Sequence, residues 1–244
     1  MRNVIVTGGT RGIGLAIGRR LAASGHRVIA VARSEGAAFG KAAESVRAEA
    51  KGDLQFRPYD LGEIAGIGAF VKSLRSDFGA IYGLVNNAAT GTSGMLARMQ
   101  DSVIEQTLRL NTLSPIVLTK GVVRAMMVDG GGRIVNITSV VSATGFSGLS
   151  VYGATKASMV GFTRSLAREL GPLNVTVNAI APGFLESEMT SSLSREQRDR
   201  IARRSALQRL VEARDIAAAA DFLLGDDAGN ITGTVVTVDA GSTA

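Results

Sequence analysis

A tyrosine and a lysine stand four positions apart in the otherwise small stretch SVYGATKAS, residues 150–158. On a helix this spacing stacks Tyr152 and Lys156 on one face, one turn apart. A free phenol titrates near 10 and is a poor proton donor or acceptor at neutral pH. An ammonium about 5 Å away, at an effective dielectric near 20, favours the phenolate by roughly 3 kcal/mol, or about two pKa units. The spacing therefore predicts a proton-labile phenol, which suits the protonation of a developing alkoxide. An isolated Y-x-x-x-K is also an ordinary helix face, so the rest of the chain must supply the partner groups.

The composition removes most competing chemistries. There is no cysteine, which excludes disulfides, thiol nucleophiles and zinc–thiolate sites, and no metal is expected. The single histidine, His26, sits in SGHRV, a turn entering a strand, and reads as a solvated loop residue. No G-x-S-x-G elbow accompanies it, so a Ser-His-Asp hydrolase has no support. With 45% apolar and 20% charged residues in 244, the make-up is that of a soluble globular protein. No apolar run is long enough to cross a bilayer, and the strand-like NVIVTGG leaves no room for a leader. A cytoplasmic protein is expected.

The elements that must position the pair are legible as alternating runs. Strands read as NVIVT (3–7), RVIAVA (27–32), LQFRPY (54–59), YGLVNN (82–87), RIVNIT (133–138), NVTVNAI (174–180) and TVVTVD (234–239). Helical patterns such as GLAIGRRLAAS, AFGKAAESVRAEAK and GIGAFVKSLRSDF lie between them. Strands apolar on both faces, each followed by a helix, predict a parallel sheet covered on both sides, in one α/β domain over 1–244. Two segments break the rhythm. One is a long helical region running to about Val128. The other is the insertion from Gly183 to Ser205, where a substrate lid around 184–205 or a packed excursion fits.

Directly after the first strand comes TGGTRGIG (7–14), with glycines at 8, 12 and 14. Such glycines permit a tight turn, close approach of backbone to a pyrophosphate, and packing of helix on strand. The helix that follows offers unpaired N–H groups to phosphate. No G-K-[ST] follows, which excludes a P-loop, and the place of the glycines between the first strand and the first helix predicts a dinucleotide site. The second strand ends VIAVARS, with Arg33 near the place where an NAD site keeps a carboxylate. Arg33 and Arg11 suit the 2′-phosphate of NADP(H). Glu35 is nearby but falls in an apparent helix start. Alone, Arg33 would also pass as a solvated strand-end charge.

Together with LVNNAA, Asn111 in a long helix, and Ser139 at a strand end thirteen residues before Tyr152, these pieces resemble the short-chain dehydrogenase/reductases. The resemblance runs in order over essentially the whole chain. It implies a single-domain Rossmann-type doubly wound sheet of about seven parallel strands, order 3-2-1-4-5-6-7, and catalysis by Asn111, Ser139, Tyr152 and Lys156. Ser139 would hold the carbonyl oxygen, Lys156 would reach the nicotinamide ribose, and Asn111 would hold a water leading to solvent. The implied cofactor contacts are Gly8, Thr10, Arg11, Ile13, Gly14, Arg33 and Ser34, with Tyr152 and Lys156. Asp60 and Leu61 match the adenine position, Asn87 and Ala88 the ribose, and Leu185 the carboxamide. The glycine usual after NNA is Ala89 here, which predicts local crowding. Pro115 has no N–H for the Asn111 carbonyl, which predicts a kinked helix and a carbonyl left for water, or merely a tolerated kink.

Within that family, RAMM, SLAREL, VTVNAIAPGF, EMT and DIAAAADFLL most resemble the 3-oxoacyl-[acyl-carrier-protein] reductases. These use NADPH to reduce a 3-oxoacyl thioester in fatty acid biosynthesis. Reduction of another ketone or secondary alcohol, and a non-catalytic NADP sensor, are the alternatives. An acidic carrier protein needs a basic rim. VDGGG after RAMM and GPLN after AREL supply no cations there, whereas REQRDRIARR (195–204) carries them on the expected lid. Those arginines, in a chain of net charge +6 and pI near 10.2, read as a solvated face or as attraction for an anionic substrate or acidic partner. They belong to no nucleic-acid-reading motif, so no nucleic acid is expected. The family also implies a homotetramer through the long helices, about 98–128 and 152–170.

Overall fold

Strand β1 (Asn3–Thr7) is buried along its whole length, and its alternation divides the core in two. Val4 and Val6 enter one apolar layer and Ile5 the other. In the computed structural model, which describes residues 1–49, 51–185 and 194–244 apart from the Arg195 side chain, each layer is closed by its own helices. On the first side lie α1 (Gly12–Ala23), α2 (Ala37–Glu49) and α8 (Ala213–Leu224), contributing Ile17, Leu21, Phe39, Ile216 and Leu223. On the second lie α3 (Ile67–Phe78), α5 (Ser114–Asp129) and α6 (Ser150–Leu170), contributing Leu74, Leu118, Val122, Met126 and Leu170. Full burial of each such side chain stabilises the fold by roughly 1.5–3 kcal/mol.

The remaining strands are β2 (Arg27–Ala32), β3 (Asp53–Pro58), β4 (Ile81–Asn86), β5 (Gly132–Ile137), β6 (Val175–Pro182) and β7 (Val235–Val238). All pairings are parallel, in the order β3-β2-β1-β4-β5-β6-β7. The seven runs expected from the sequence are these strands, offset mostly by a residue. The larger difference is at β6, which continues through Ala181 and Pro182 because β7 pairs with them at Thr237 and Val238. A ladder, not apolarity, sets the boundary. The chain reverses direction across the sheet between β1 and β4, and the crevice beyond their carboxyl ends is where such sheets bind ligands.

The long helical region divides into α4 (Asp101–Leu108), a π-helical turn at Arg109–Leu113, and α5. The Ser114 N–H bonds the Arg109 carbonyl, five residues back. The helical irregularity expected at Pro115 takes the form of this widened turn, which places the proline in the first turn of α5, where a missing N–H costs little.

After β6, Leu185 bridges to Val211, whose N–H donates to the Phe184 carbonyl at 3.2 Å. Helix α7 (Arg195–Arg204) starts with a capping box between Ser194 and Gln197. Much of the lid expectation, residues 186–193, lies outside the described residues. Among the described residues, no helix is long and apolar enough to cross a membrane.

His26 corrects the sequence reading. Its turn folds back on β4, so the imidazole is buried and stacks on Tyr82, ring centroids 6.0 Å apart and 13° between planes. Burial chiefly, and then the Arg2 charge, push its pKa below the usual 6.5. Below that value the unfolded chain binds a proton that the folded chain refuses, so stability falls as the pH drops through about 6.5. We expect the loss of Tm between about pH 7.5 and about pH 5.5 to shrink in His26→Phe, which keeps the stack. An unchanged loss would mean that other groups carry the acid sensitivity.

Candidate active site

The glycine turn at the end of β1 is shaped by what a side chain would strike. Gly8 has φ +63°, and a Cβ there would lie 3.0 Å from Asn87 Nδ2 and 3.1 Å from the Ala88 Cα. A Cβ on Gly14 would collide with the Gly8 carbonyl oxygen and come within 2.7 Å of Asn87 Nδ2. Gly12, at φ +52°, faces open space. The turn thus packs against β4 through Gly8 and Gly14 and leaves its outer side clear at Gly12. Arg11 precedes α1 in an extended conformation with no side-chain cap, so the first N–H groups are available to an anion. This cradle fits a pyrophosphate.

Thr7 holds the turn to the next strand, and sequence reasoning missed it. Its hydroxyl accepts from the Asn87 and Ala88 N–H groups, each at 2.9 Å, and donates to the Val85 carbonyl at 3.3 Å. Asn87, expected along a ribose, spends its amide on the Thr7 and Gly8 carbonyls at 2.9 and 3.3 Å. A hydroxyl directly after the apolar run Val4–Val6 was the available signal. Ala89 does not have a positive φ, so its backbone is one that a side chain adopts without strain.

At the adenine end, Arg33 and Ser34 are exposed just beyond β2, and Arg11 is exposed in the turn. Arg33 forms no ion pair among the described residues. Glu35 lies in the loop before α2, not in a helix start. Asp60 is exposed and its carboxylate accepts from the Gly62 N–H at 2.8 Å. Leu61 is buried in the second apolar layer, which leaves only its backbone to face a ligand. Thr10 is buried, Ile13 packs against the first layer, and so does Leu185 across the cleft.

The catalytic candidates meet at the carboxyl end of β5. Ser139 caps a short 3-10 turn, its hydroxyl accepting from the Val141 N–H at 3.3 Å. The same hydroxyl lies close enough to the Tyr152 phenol to lower the phenol's pKa. Lys156 is buried; its Nζ donates to the Ile137 carbonyl at 2.9 Å and lies 5.6 Å from the centre of the Tyr152 ring. Burial holds this ammonium down to about 8.

The expected acidification of the phenol is corrected here. Burial raises the Tyr152 pKa above its usual value, and the nearby Ser139 hydroxyl only partly offsets this. Desolvation can shift a buried group by as much as 3–5 units, against about two from a nearby cation. The lysine is also anchored on the strand carbonyl, with its cation over the ring. Without ligand, Tyr152 is a neutral phenol, and therefore a proton donor.

Asn111, buried in the π turn, clamps two elements. Its Oδ1 accepts from the Thr90 N–H at 2.8 Å, and its Nδ2 donates to the Thr90 carbonyl at 2.9 Å and to Thr155 Oγ1 at 3.3 Å. The Thr155 hydroxyl donates to the Tyr152 carbonyl at 2.7 Å. Deeper, Asn86 donates to Asn136 at 2.8 Å and to Thr119 at 3.0 Å, and Asn136 to Thr163 at 2.8 Å. This buried chain ties β4 and β5 to α5 and α6. Neither Thr155 nor the chain of amides announces itself in the sequence. Among the described residues, no cluster of acidic and histidine side chains suits a metal.

A phosphate cradle at β1 facing a Ser-Tyr-Lys set at β5 defines a dinucleotide-dependent oxidoreductase. A family model described as enoyl-(acyl carrier protein) reductase matches residues 8–243, and the chain belongs to this branch of the short-chain dehydrogenase/reductases. It is 41% identical over 237 residues to the 3-oxoacyl-[acyl-carrier-protein] reductase FabG of Haemophilus influenzae, covering 97% of this chain and 96% of the relative. A short-chain dehydrogenase/reductase from Serratia marcescens superimposes with a TM-score of 0.92 at 32% identity, over 100% of this chain and 98% of that one. A short-chain dehydrogenase of Burkholderia cenocepacia in complex with NADP gives 0.91 at 32%, with the same coverage.

The glycine geometry predicts unequal substitutions. Gly14→Ala should lower stability by roughly 1–3 kcal/mol through overpacking. Gly12→Ala, which meets only backbone strain, should cost about 1 kcal/mol. Denaturant melts of the two variants decide it; equal losses would contradict the close approach at Gly14.

Proposed function

We propose that the protein uses NADPH to reduce the keto group of a 3-oxoacyl thioester, on acyl carrier protein or coenzyme A, to the 3-hydroxyacyl product. The observation carrying this reading is the neutral Tyr152 phenol, with Ser139 near it and the buried Lys156 ammonium 5.6 Å from its ring centre, at the cleft facing the glycine turn. The similarity to FabG over nearly the full chain supports the substrate class, and the Burkholderia relative's NADP complex supports the cofactor.

The bound dinucleotide supplies the hydride. The chain's residues do the rest. Ser139 and Tyr152 hold the ketone oxygen, and Tyr152 gives it a proton as negative charge develops there. Lys156, cationic below about pH 8, steadies the phenolate left behind. The first turn of α1 holds the pyrophosphate, and Arg33 with Arg11 the 2′-phosphate. Thr10, Ile13, Ser34, Asp60, Leu61, Ala88 and Leu185 remain assigned to the cofactor in this reading. A homotetramer through α4, α5 and α6 belongs to the same reading and would cover Leu108 and Leu113, both exposed.

Mixing the protein with NADPH and acetoacetyl-CoA and following the absorbance of the reduced cofactor should show turnover. Tyr152→Phe should lower kcat by about 10²–10⁴-fold. Cofactor binding without turnover on any 3-oxoacyl thioester would sink the proposal. Arg33→Ala should raise the KM for NADPH by about tenfold and leave NADH use nearly unchanged. Equal loss with both cofactors would remove Arg33 from the phosphate site.

A further inference from the structure

Helix α7 sorts its charges by end. Glu196 lies in the first turn and Arg203 and Arg204 in the last, each sign where the helix dipole favours it. Arg200, Arg203 and Arg204 share one exposed face by their i, i+3, i+4 spacing. Arg200 reaches Glu196 at 3.3 Å in an exposed pair. Arg203, Arg204 and Arg209 are exposed and form no ion pair among the described residues.

Beyond α7 the chain makes a turn that is fixed rather than loose. Ser205 is buried, its Oγ 2.8 and 2.9 Å from the Ala202 and Arg209 carbonyls and accepting from the Arg209 N–H at 3.2 Å. The Ala206 and Leu207 N–H groups donate to the Gly241 and Ala240 carbonyls at 3.3 and 3.0 Å. Gln208 and Ala240 both have positive φ, +52° and +56°, a region that side chains enter against strain. The result is Leu207 held 60% exposed, with arginines before and after it. An apolar anchor inside a cationic border is the make-up of a docking surface for an acidic partner: the border steers and the anchor binds.

The patch lies on the functional edge of the sheet. It follows β6, whose exit carries Phe184 against Phe146 at 5.3 Å, and Phe146 sits on the segment entering α6 and Tyr152. At the far end of α5, by contrast, the Arg75 cation is already paired with Asp129 at 2.7 Å.

We propose that the Arg200–Arg203–Arg204 face of α7 and the Leu207 turn dock an acidic, helical acyl carrier protein that presents the thioester to the cleft. The proposal rests on the thioester reading but is tested apart from it. Fluorescently labelled holo-acyl carrier protein is titrated with the protein at low salt and binding is read by anisotropy. Arg203→Glu/Arg204→Glu should weaken binding by about tenfold or more, and added salt should weaken the wild type likewise. Leu207→Ser should weaken it without changing the salt dependence. Turnover of a 3-oxoacyl N-acetylcysteamine thioester, which has no carrier, should be unchanged in both variants.

No binding by the wild type, equal binding by all three proteins, or parallel loss of carrier-free turnover would overturn the docking surface. So would a change of oligomeric state in Leu207→Ser, which would make the patch a contact between copies. Absence of carrier-free turnover in the wild type would defeat the thioester reading instead, while the anisotropy would still decide the docking.

Discussion

A single buried cation organises the catalytic end of this molecule. Lys156 is enclosed, and among the described residues no carboxylate pairs with it; its ammonium rests on the Ile137 carbonyl at 2.9 Å and over the Tyr152 ring. Burying a charge on these terms costs several kcal/mol, which appears as a lysine titrating near 8. The anchoring atom belongs to β5, not to α6 that carries the lysine. The cation is therefore registered to the sheet, and the sheet also fixes Ser139 two residues further on and the glycine turn beyond β1. The amide chain from Asn86 through Asn136 to Thr163 holds α6 at the height this requires.

The same burial sets the direction in which the site is poised. A low dielectric opposes charge on both partners, so the phenol keeps its proton while the lysine holds its own less tightly. A neutral phenol is the form that can give a proton to a ketone oxygen. Oxidation of an alcohol would need the phenolate first. The cation's contribution then belongs to the charge that appears during reaction, where an interaction lowers a barrier without stabilising the ground state equally.

Much of this was legible in the sequence, for identifiable reasons. Strands apolar on both faces have few interpretations, so the parallel sheet followed from β1, β2 and β6 alone. Gly8, Gly12 and Gly14 were readable because a turn between strand and helix constrains what each must do. The Tyr152–Lys156 spacing gave proximity correctly, but not the sign of the phenol's shift. Coulomb attraction depends on spacing, which is local; desolvation depends on enclosure by distant segments. His26 was misread for the same reason, since nothing in SGHRV reveals that Tyr82 will cover it. Hydroxyl bonds such as those of Thr7 and Thr155 reach across the fold and leave no periodic trace.

The π turn around Asn111 shows how a local signal finds the place of an irregularity while the fold decides its form. Pro115 does mark a place where helical bonding fails. The chain absorbs the failure by widening one turn, which swings Asn111 inward until its side chain bridges Thr90 and Thr155. Both amide protons are then engaged, and Oδ1 keeps one lone pair. A water joining Lys156 to solvent at this residue would have to donate to that lone pair or to the backbone carbonyl, because no donor is left on the side chain. The clamp thus makes Asn111 an acceptor only.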